Sequence, residues 1–129
     1  MGAISGSLGA HHAHLEGLFD VVVEAARASD WAQYRGRLAG LRRELLQHTA
    51  FEEQELFPEL ARTAKSETEL AVLRGQHERL RRHFDILGAA APEYDPEGCL
   101  GELQELGALI REHHARESRL CYPQEATRC

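Results

Sequence analysis

The sequence predicts an all-α protein: an antiparallel up-and-down four-helix bundle built from two repeated helical hairpins. Leu, Ala, Glu and Arg are abundant and only four prolines occur, which favours helix. Apolar residues recur at helical spacing in four segments joined by short connections. The second half of the chain also repeats the first. We expect one domain over residues 1–129, with its ordered bundle over about 7–123.

The first two segments form the first predicted hairpin. Helix one covers about 7–28 and ends at the turn "ASDW", where Ser29 or Asp30 can cap the next helix. Helix two covers about 31–62, and Pro58 is expected to kink it near its end. The apolar sides of these helices are Leu15, Leu18, Phe19, Val22 and Ala26, then Leu38, Leu41, Leu45, Leu46 and Leu56.

The last two segments form the second predicted hairpin. Helix three begins at Ser66, with Glu69 three residues later in a capping-box pattern, and stops within "GAAAPEYDPEG". Helix four covers about 96–122. The apolar sides are Leu70, Leu73, Leu80, Phe84 and Leu87, then Leu100, Leu103, Leu106, Leu109 and Ile110.

The two hairpins, about 7–62 and 66–123, are copies of one unit. A shift of 65 positions brings four pairs into register: His12 and His77, His48 and His113, Glu52 and Glu117, Pro58 and Pro123. A chance helical period can repeat leucines, but it does not readily repeat two His, one Glu and one Pro in register. The repeat is therefore a stronger signal than any single motif.

The repeated polar residues are predicted to meet in one layer of the bundle. In each hairpin the two His lie equally far from the turn, so they reach the same height when the helices are antiparallel. The turn between the hairpins lies about midway between His48 and His77, so both heights coincide. Glu52 and Glu117 follow His48 and His113 by four residues and share their helix faces.

Four imidazoles and two carboxylates converging inside a bundle predict a metal centre. Buried carboxylates are costly unless they are paired or bind metal. The predicted ligands are His12, His48, Glu52, His77, His113 and Glu117. Their two-fold pattern suggests two ions, each taking two His, with both Glu as bridges. Open positions favour redox iron, with an oxo or hydroxo bridge, over zinc; zinc and manganese remain alternatives.

The phrases "HTAFEEQELFP", from His48, and "HHARESRLCYP", from His113, resemble those of hemerythrin-like (HHE) domains. "HHAHLEGLFD" and "QHERLRRHFD" resemble the first and third helices of that family. The resemblance spans Leu8 to Pro123. It implies non-haem di-iron ligation by the same six residues, with binding or sensing of dioxygen, nitric oxide or iron.

The chain departs from the oxygen-carrying hemerythrins, which resemble it, at two positions. Those proteins have a fifth His on the third helix, where this chain has Arg81, and an Asp where it has Ser118. Without the fifth His, one iron would have more open coordination. Our hypothesis is that this favours redox or peroxide chemistry over reversible oxygen carriage.

Several other polar residues have alternative interpretations. His11 competes with His12 for the ligand role, and the repeat favours His12 because it matches His77. His83 remains an alternative extra ligand. His14 and His114 are expected to be exposed. Glu53 is expected to be a solvated acid or one that backs a ligand. Arg81 is expected to be a surface residue; the alternative is that it faces the site, where its charge could hold an anionic oxygen species.

Composition narrows the function classes. The net charge of −6 disfavours a nucleic-acid partner. No secretory signal or transmembrane-length run is present, so no membrane association is expected. The spacing of the three cysteines fits neither a zinc site nor a disulfide framework. We therefore expect a reduced, cytoplasmic protein.

Three functions remain for such a chain. The favoured one is a di-iron protein that binds or senses dioxygen, nitric oxide, peroxide or iron, and that would signal through a partner protein. The alternatives are a di-iron oxidase or peroxidase acting on hydrogen peroxide, and a metal-stabilised interaction module. Enzymatic turnover is left open.

Overall fold

The computed structural model describes the backbone of residues 2–62 and 67–125 and the side chains of 10–62 and 67–120. All elements in this part of the chain are helical, and no strand occurs in it. The helices are α1 (Gly2–Arg27), α2 (Trp31–Phe51), a π-helical turn (Glu52–Leu56), α3 (Phe57–Arg62), α4 (Glu67–Ala89) and α5 (Pro96–Glu125). The prediction of four helical segments is confirmed, because α2, the π turn and α3 follow one another without a break.

A tight turn joins α1 to α2. Ser29 adopts a left-handed conformation with φ of 57°, and the Asp30 N–H donates to the carbonyl of Ala25 at 3.0 Å. This pattern closes the carboxyl end of α1 as a Schellman motif. The Asp30 carboxylate then accepts from the Gln33 N–H at 3.2 Å. Of the two candidate caps for α2, the structure uses Asp30.

The caps of the third and fourth helical segments differ in what the structure describes. Ser66, expected to cap the third helix, lies outside the described residues. Asp95 caps α5, where its carboxylate accepts from the Gly98 N–H at 3.0 Å. Pro96 follows at the first helical position, where its missing N–H costs no hydrogen bond.

A π turn lies just before Pro58, the position where a kink is expected. The Phe57 N–H donates to the carbonyl of Glu52, five residues earlier, so one extra residue is accommodated in this turn. Pro58 cannot donate to a carbonyl of the preceding turn. Pro123 holds the matching place in the second repeat, yet α5 is α-helical there. Proline alone therefore does not explain the π turn.

Two hydrophobic clusters lie at different heights in the structure. α1 packs against α2 and α5, and α4 packs against α5, α3 and α2. The first cluster is built from residues 15–45, 80–87 and 99–110, and the second from residues 56–73. Along each of the four helical segments, the predicted metal ligands lie beside or between these two sets. The polar layer therefore separates two apolar regions.

Among residues 2–62 and 67–125, no helix has both the length and the apolar character that crossing a bilayer requires.

α1 and α5 pack tightly against each other at Gly107. A Cβ placed there would lie 2.6 Å from Cζ of the buried Phe19 ring. Gly101, in the same helix, has open space at the corresponding point. The absence of a side chain at Gly107 thus lets an aromatic ring fill the space between the two helices.

Replacing these two glycines by alanine should therefore change stability in opposite directions. Gly101→Ala should raise the free energy of unfolding by about 0.5–1 kcal/mol, because alanine favours helix. Gly107→Ala should lower it by about 1 kcal/mol or more, because the new methyl group displaces Phe19 within a packed core. Urea denaturation of the two variants measures both. An equal gain in both would contradict the close packing at Gly107.

Candidate metal centre

The six predicted ligand residues lie together in one buried layer. His12 comes from α1, His48 from α2, Glu52 from the π turn, His77 from α4, and His113 and Glu117 from α5. Each is at most 6% exposed, so bulk water does not solvate their charges. The apolar clusters lie on the two sides of this layer.

Glu52 directs its two oxygens at different histidines. Oε2 lies 2.8 Å from Nε2 of His48. Oε1 lies 2.8 Å from Nε2 of His77 and 3.4 Å from Nε2 of His113. One carboxylate therefore reaches imidazoles from both hairpins.

Glu117 does the same from the opposite repeat. Oε1 lies 2.9 Å from Nε2 of His12, and Oε2 lies 3.3 Å from Nε2 of His113. Both Glu side chains thus have the geometry of a bridge between two groups of donors.

The donors form two overlapping sets, each of four residues whose ligand atoms lie within 4.8 Å of one another. We call the set of His12, His48, Glu52 and Glu117 the first position. The set of His77, His113, Glu52 and Glu117 is the second position. Adjacent ligands of one ion, each about 2.1 Å from it, lie roughly 3 Å apart. The nitrogen–oxygen contacts of 2.8 to 3.4 Å agree with that spacing.

Orphaned polar atoms in the layer also fit a cation. His48 Nε2, Glu52 Oε2 and Glu117 Oε2 are fully buried and have no hydrogen-bond partner. The 2.8 Å approach of His48 to Glu52 is close but is not directed as a hydrogen bond. Buried polar atoms of this kind need an explanation, and a bound metal ion supplies it for all three.

Three of the four histidines have a partner behind the ring. His77 Nδ1 donates to Glu53 Oε2 at 2.7 Å. His113 Nδ1 donates to Gln76 Oε1 at 2.8 Å. His48 Nδ1 lies 3.4 Å from Nδ1 of His11. Such partners fix the imidazole tautomer, so that Nε2 is presented to the centre.

The structure separates His12 from the other candidates in its neighbourhood. His12 is in the layer, whereas the exposed His11 lies behind His48. His83 is outside the layer and pairs with Glu102. His14 is half exposed, as expected, and contacts Glu44 at 2.8 Å.

The expectation that His114 is exposed is wrong. Its side chain is 5% exposed, and its ring stacks on His12 with centroids 3.8 Å apart. Its Nδ1 donates to Glu16 Oε2 at 2.8 Å. The residue does point away from the ligand face of α5, but α1 covers that side.

Two further residues lie behind the ligands, and the sequence did not predict these positions for them. Arg81 is partly buried and donates to Glu53 at 3.1 Å, so it is not a simple surface residue. Gln76 was overlooked, although it is 2% exposed. Its position in the repeat, 65 residues after His11 and next to His77, was a usable signal.

Without metal, the layer retains protons. Burial raises the pKa of Glu117, and the neighbouring Glu52 raises it further. Burial acts the same way on Glu52, but the adjacent Glu117 carboxyl group and the imidazoles of His113, His48 and His77 hold its pKa well below its usual range. Burial disfavours charging of His113, yet the Glu117 and Glu52 carboxylates raise its pKa to about 9. Metal binding would displace such protons.

One family model matches this chain: the hemerythrin HHE cation-binding domain, over residues 4–124. The chain belongs to the hemerythrin HHE family. The comparison with curated proteins found no match, and neither did the comparison with solved structures. The family match and the buried His/Glu cluster together support a metal cofactor for this HHE domain.

We expect the metal-free HHE domain to lose stability as the pH rises from 6.5 through about 9. The pKa of His113 is raised from 6.5 to about 9 in the folded state, so its stabilising contribution is complete below the lower value. That contribution disappears as the pH passes the upper value. The raised pKa of His48 acts in the same direction.

Urea denaturation of chelator-treated protein across this pH range measures the effect. His14→Ala, at an exposed site, should keep the slope, whereas His113→Gln should reduce it. A free energy of unfolding that stays constant or increases between pH 6.5 and about 9 would contradict the raised pKa of His113.

Proposed function

We propose that this HHE domain binds two non-haem iron ions and uses them to bind or sense dioxygen, nitric oxide or peroxide. The carrying observation is that Glu52 and Glu117 each direct one oxygen at each of the two positions. A pair of bridging carboxylates holds two ions at a short separation, as in other carboxylate-bridged helical bundles. Bound iron would supply one-electron redox chemistry and an exchangeable ligand position.

The donor set supports iron as the metal. Each position offers two imidazoles and two bridging carboxylate oxygens, a mixed nitrogen and oxygen set without thiolate. Structural zinc sites are usually closed and tetrahedral, often with Cys. An ion with four protein donors that favours higher coordination has room for a further small ligand.

The enclosure of the layer supports a small ligand. All six donor residues are nearly inaccessible, and the Phe57 ring stacks on His77 with centroids 5.2 Å apart. Apolar surroundings favour neutral diatomic molecules and exclude bulk water. A substrate of many atoms would have to displace packed core residues to reach the centre.

The protein residues orient and neutralise the centre. Glu53 and Gln76 fix the rings of His77 and His113, and the two bridging Glu offset the charge of the cations. Arg81 pairs with Glu53 and Glu78 and lies behind His77, so it does not replace the fifth imidazole of the oxygen carriers. This arrangement favours redox or peroxide chemistry over reversible oxygen carriage.

We also infer the up-and-down arrangement of a single domain. Contacts between α1 and α2 join His11 to His48 and His14 to Glu44, so residue numbers rise on one helix as they fall on the other. The α4–α5 contacts His77–His113 and His83–Glu102 follow the same order. Both patterns support antiparallel neighbours.

Metal analysis of aerobically purified protein, with its absorption spectrum, tests the proposal. We expect two iron ions per chain, one for each position, and charge-transfer bands in the near ultraviolet. Stoichiometric zinc, with a spectrum indifferent to oxygen, would instead favour a metal-stabilised module. Rapid turnover of hydrogen peroxide that is lost in His113→Ala would establish the oxidase or peroxidase alternative. Stable, reversible oxygenation without autoxidation would contradict the preference for redox chemistry.

The pair His11 and His12 gives a matched test of the ligand assignment. His12→Ala should retain one ion per chain, because it removes a donor from the first position only. His11→Ala should retain both ions, because its ring lies behind His48. Metal content after desalting, with circular dichroism as a folding control, measures the difference. Loss of an ion from His11→Ala alone would reverse the assignment.

A further inference from the structure

The partners that lie behind the metal ligands follow the same repeat as the ligands. His77 is backed by Glu53, and the repeat-equivalent pair is His12 and Ser118. His113 is backed by Gln76, and the repeat-equivalent pair is His48 and His11. The four ligand imidazoles are chemically identical across the repeat. The residues behind them are not.

The difference is largest between His77 and His12. Behind His77, Glu53 accepts a 2.7 Å hydrogen bond, and Arg81 holds the same Glu53 oxygen at 3.1 Å. Ser118 is only partly buried and, among the described contacts, makes no hydrogen bond to His12. The His12 ring instead stacks on the ring of His114, with centroids 3.8 Å apart.

The second pair differs in the same sense. Gln76 is buried, and its Oε1 accepts from His113 at 2.8 Å, while its Nε2 donates to Glu112 at 3.4 Å. His11 is exposed, and its nitrogen lies 3.4 Å from His48. The contact behind His113 is therefore shorter and more buried than the contact behind His48, and Gln76 is itself fixed by its hydrogen bond to Glu112.

We propose that the two metal positions are unequal, and that the second position, formed with His77 and His113, binds its ion more tightly and fills first. A carboxylate or carbonyl behind a ligand imidazole fixes its tautomer and raises its basicity, and such a partner contributes about 10- to 100-fold in metal affinity. Both imidazoles of the second position have such a partner. The inference rests on the proposed two-ion centre and makes Glu53 a positioning residue for His77.

Titration of the metal-free protein with Co²⁺, followed by its visible absorption, tests the inequality. We expect two binding phases whose dissociation constants differ by about 10-fold or more. His77→Ala should abolish the tighter phase, and His12→Ala should abolish the weaker one. A single phase of two equivalent ions in the wild-type protein would overturn the inference.

Substitutions behind the ligands test the cause. Glu53→Gln should weaken the tighter phase by about 10- to 100-fold and leave the other unchanged. Glu55→Gln, at an exposed position of the same turn, is the matched control and should change neither phase. Ser118→Glu should strengthen the weaker phase, because it places a carboxylate at the position equivalent to Glu53. Equal effects of Glu53→Gln on both phases would indicate a purely structural role and overturn the assignment.

The outcomes also separate this inference from the proposed function. Binding of fewer than two Co²⁺ ions by the wild-type protein would reject the two-ion centre itself. Binding of two ions with equal affinity would leave that centre intact and reject only the inequality.

Discussion

The side chains of Glu52 and Glu117 have no exposed surface, and a carboxylate in that setting destabilises a fold unless cations or hydrogen-bond donors neutralise it. Four imidazoles from four helical segments face these two groups. Without metal, the raised pKa of His113, about 9, keeps a proton on its ring that offsets part of the charge, and the pKa of Glu117 is shifted in the same direction. A bound metal cofactor would take over that role. The packing of the helices brings these six groups together.

The apolar clusters and the backbone details serve the same layer. The π turn begins at Glu52, at the point where α2 delivers its carboxylate, and is followed by the buried Phe57 ring that stacks on His77. Insertions of this kind are frequent at functional sites because they re-aim side chains without ending the helix. At the other side, Phe19 fills the space above Gly107 and keeps α1 close to α5. His12 and Glu117, on those two helices, then lie 2.9 Å apart.

The helices and the meeting of six donors could be predicted because they depend on spacing within the chain. The repeat of 65 positions indicates at which height along the bundle, and on which face of its helix, each ligand lies. The features that were not predicted depend on contacts between helices or on the choice between an α-helical and a π-helical backbone. His114 was misjudged because the phase of one helix does not reveal that another helix covers it. Gln76 carries no charge, so only its place in the repeat, 65 residues after His11, marks it. The π turn precedes Pro58, but the equivalent Pro123 of the second repeat lies in a regular α-helix. A proline at this position therefore does not predict which of the two backbones forms.

The exchange of carboxylates between the two positions has a consequence for the origin of the site. Each hairpin contributes two histidines and one glutamate, a 2-His-1-carboxylate set that could hold one metal ion with open positions. The fourth donor of each position comes from the other hairpin. Two copies of a single hairpin, related by a two-fold axis, would therefore assemble the same centre as an isologous dimer. Fusion of two such copies into one chain would keep every ligand and free the residues behind them to diverge independently.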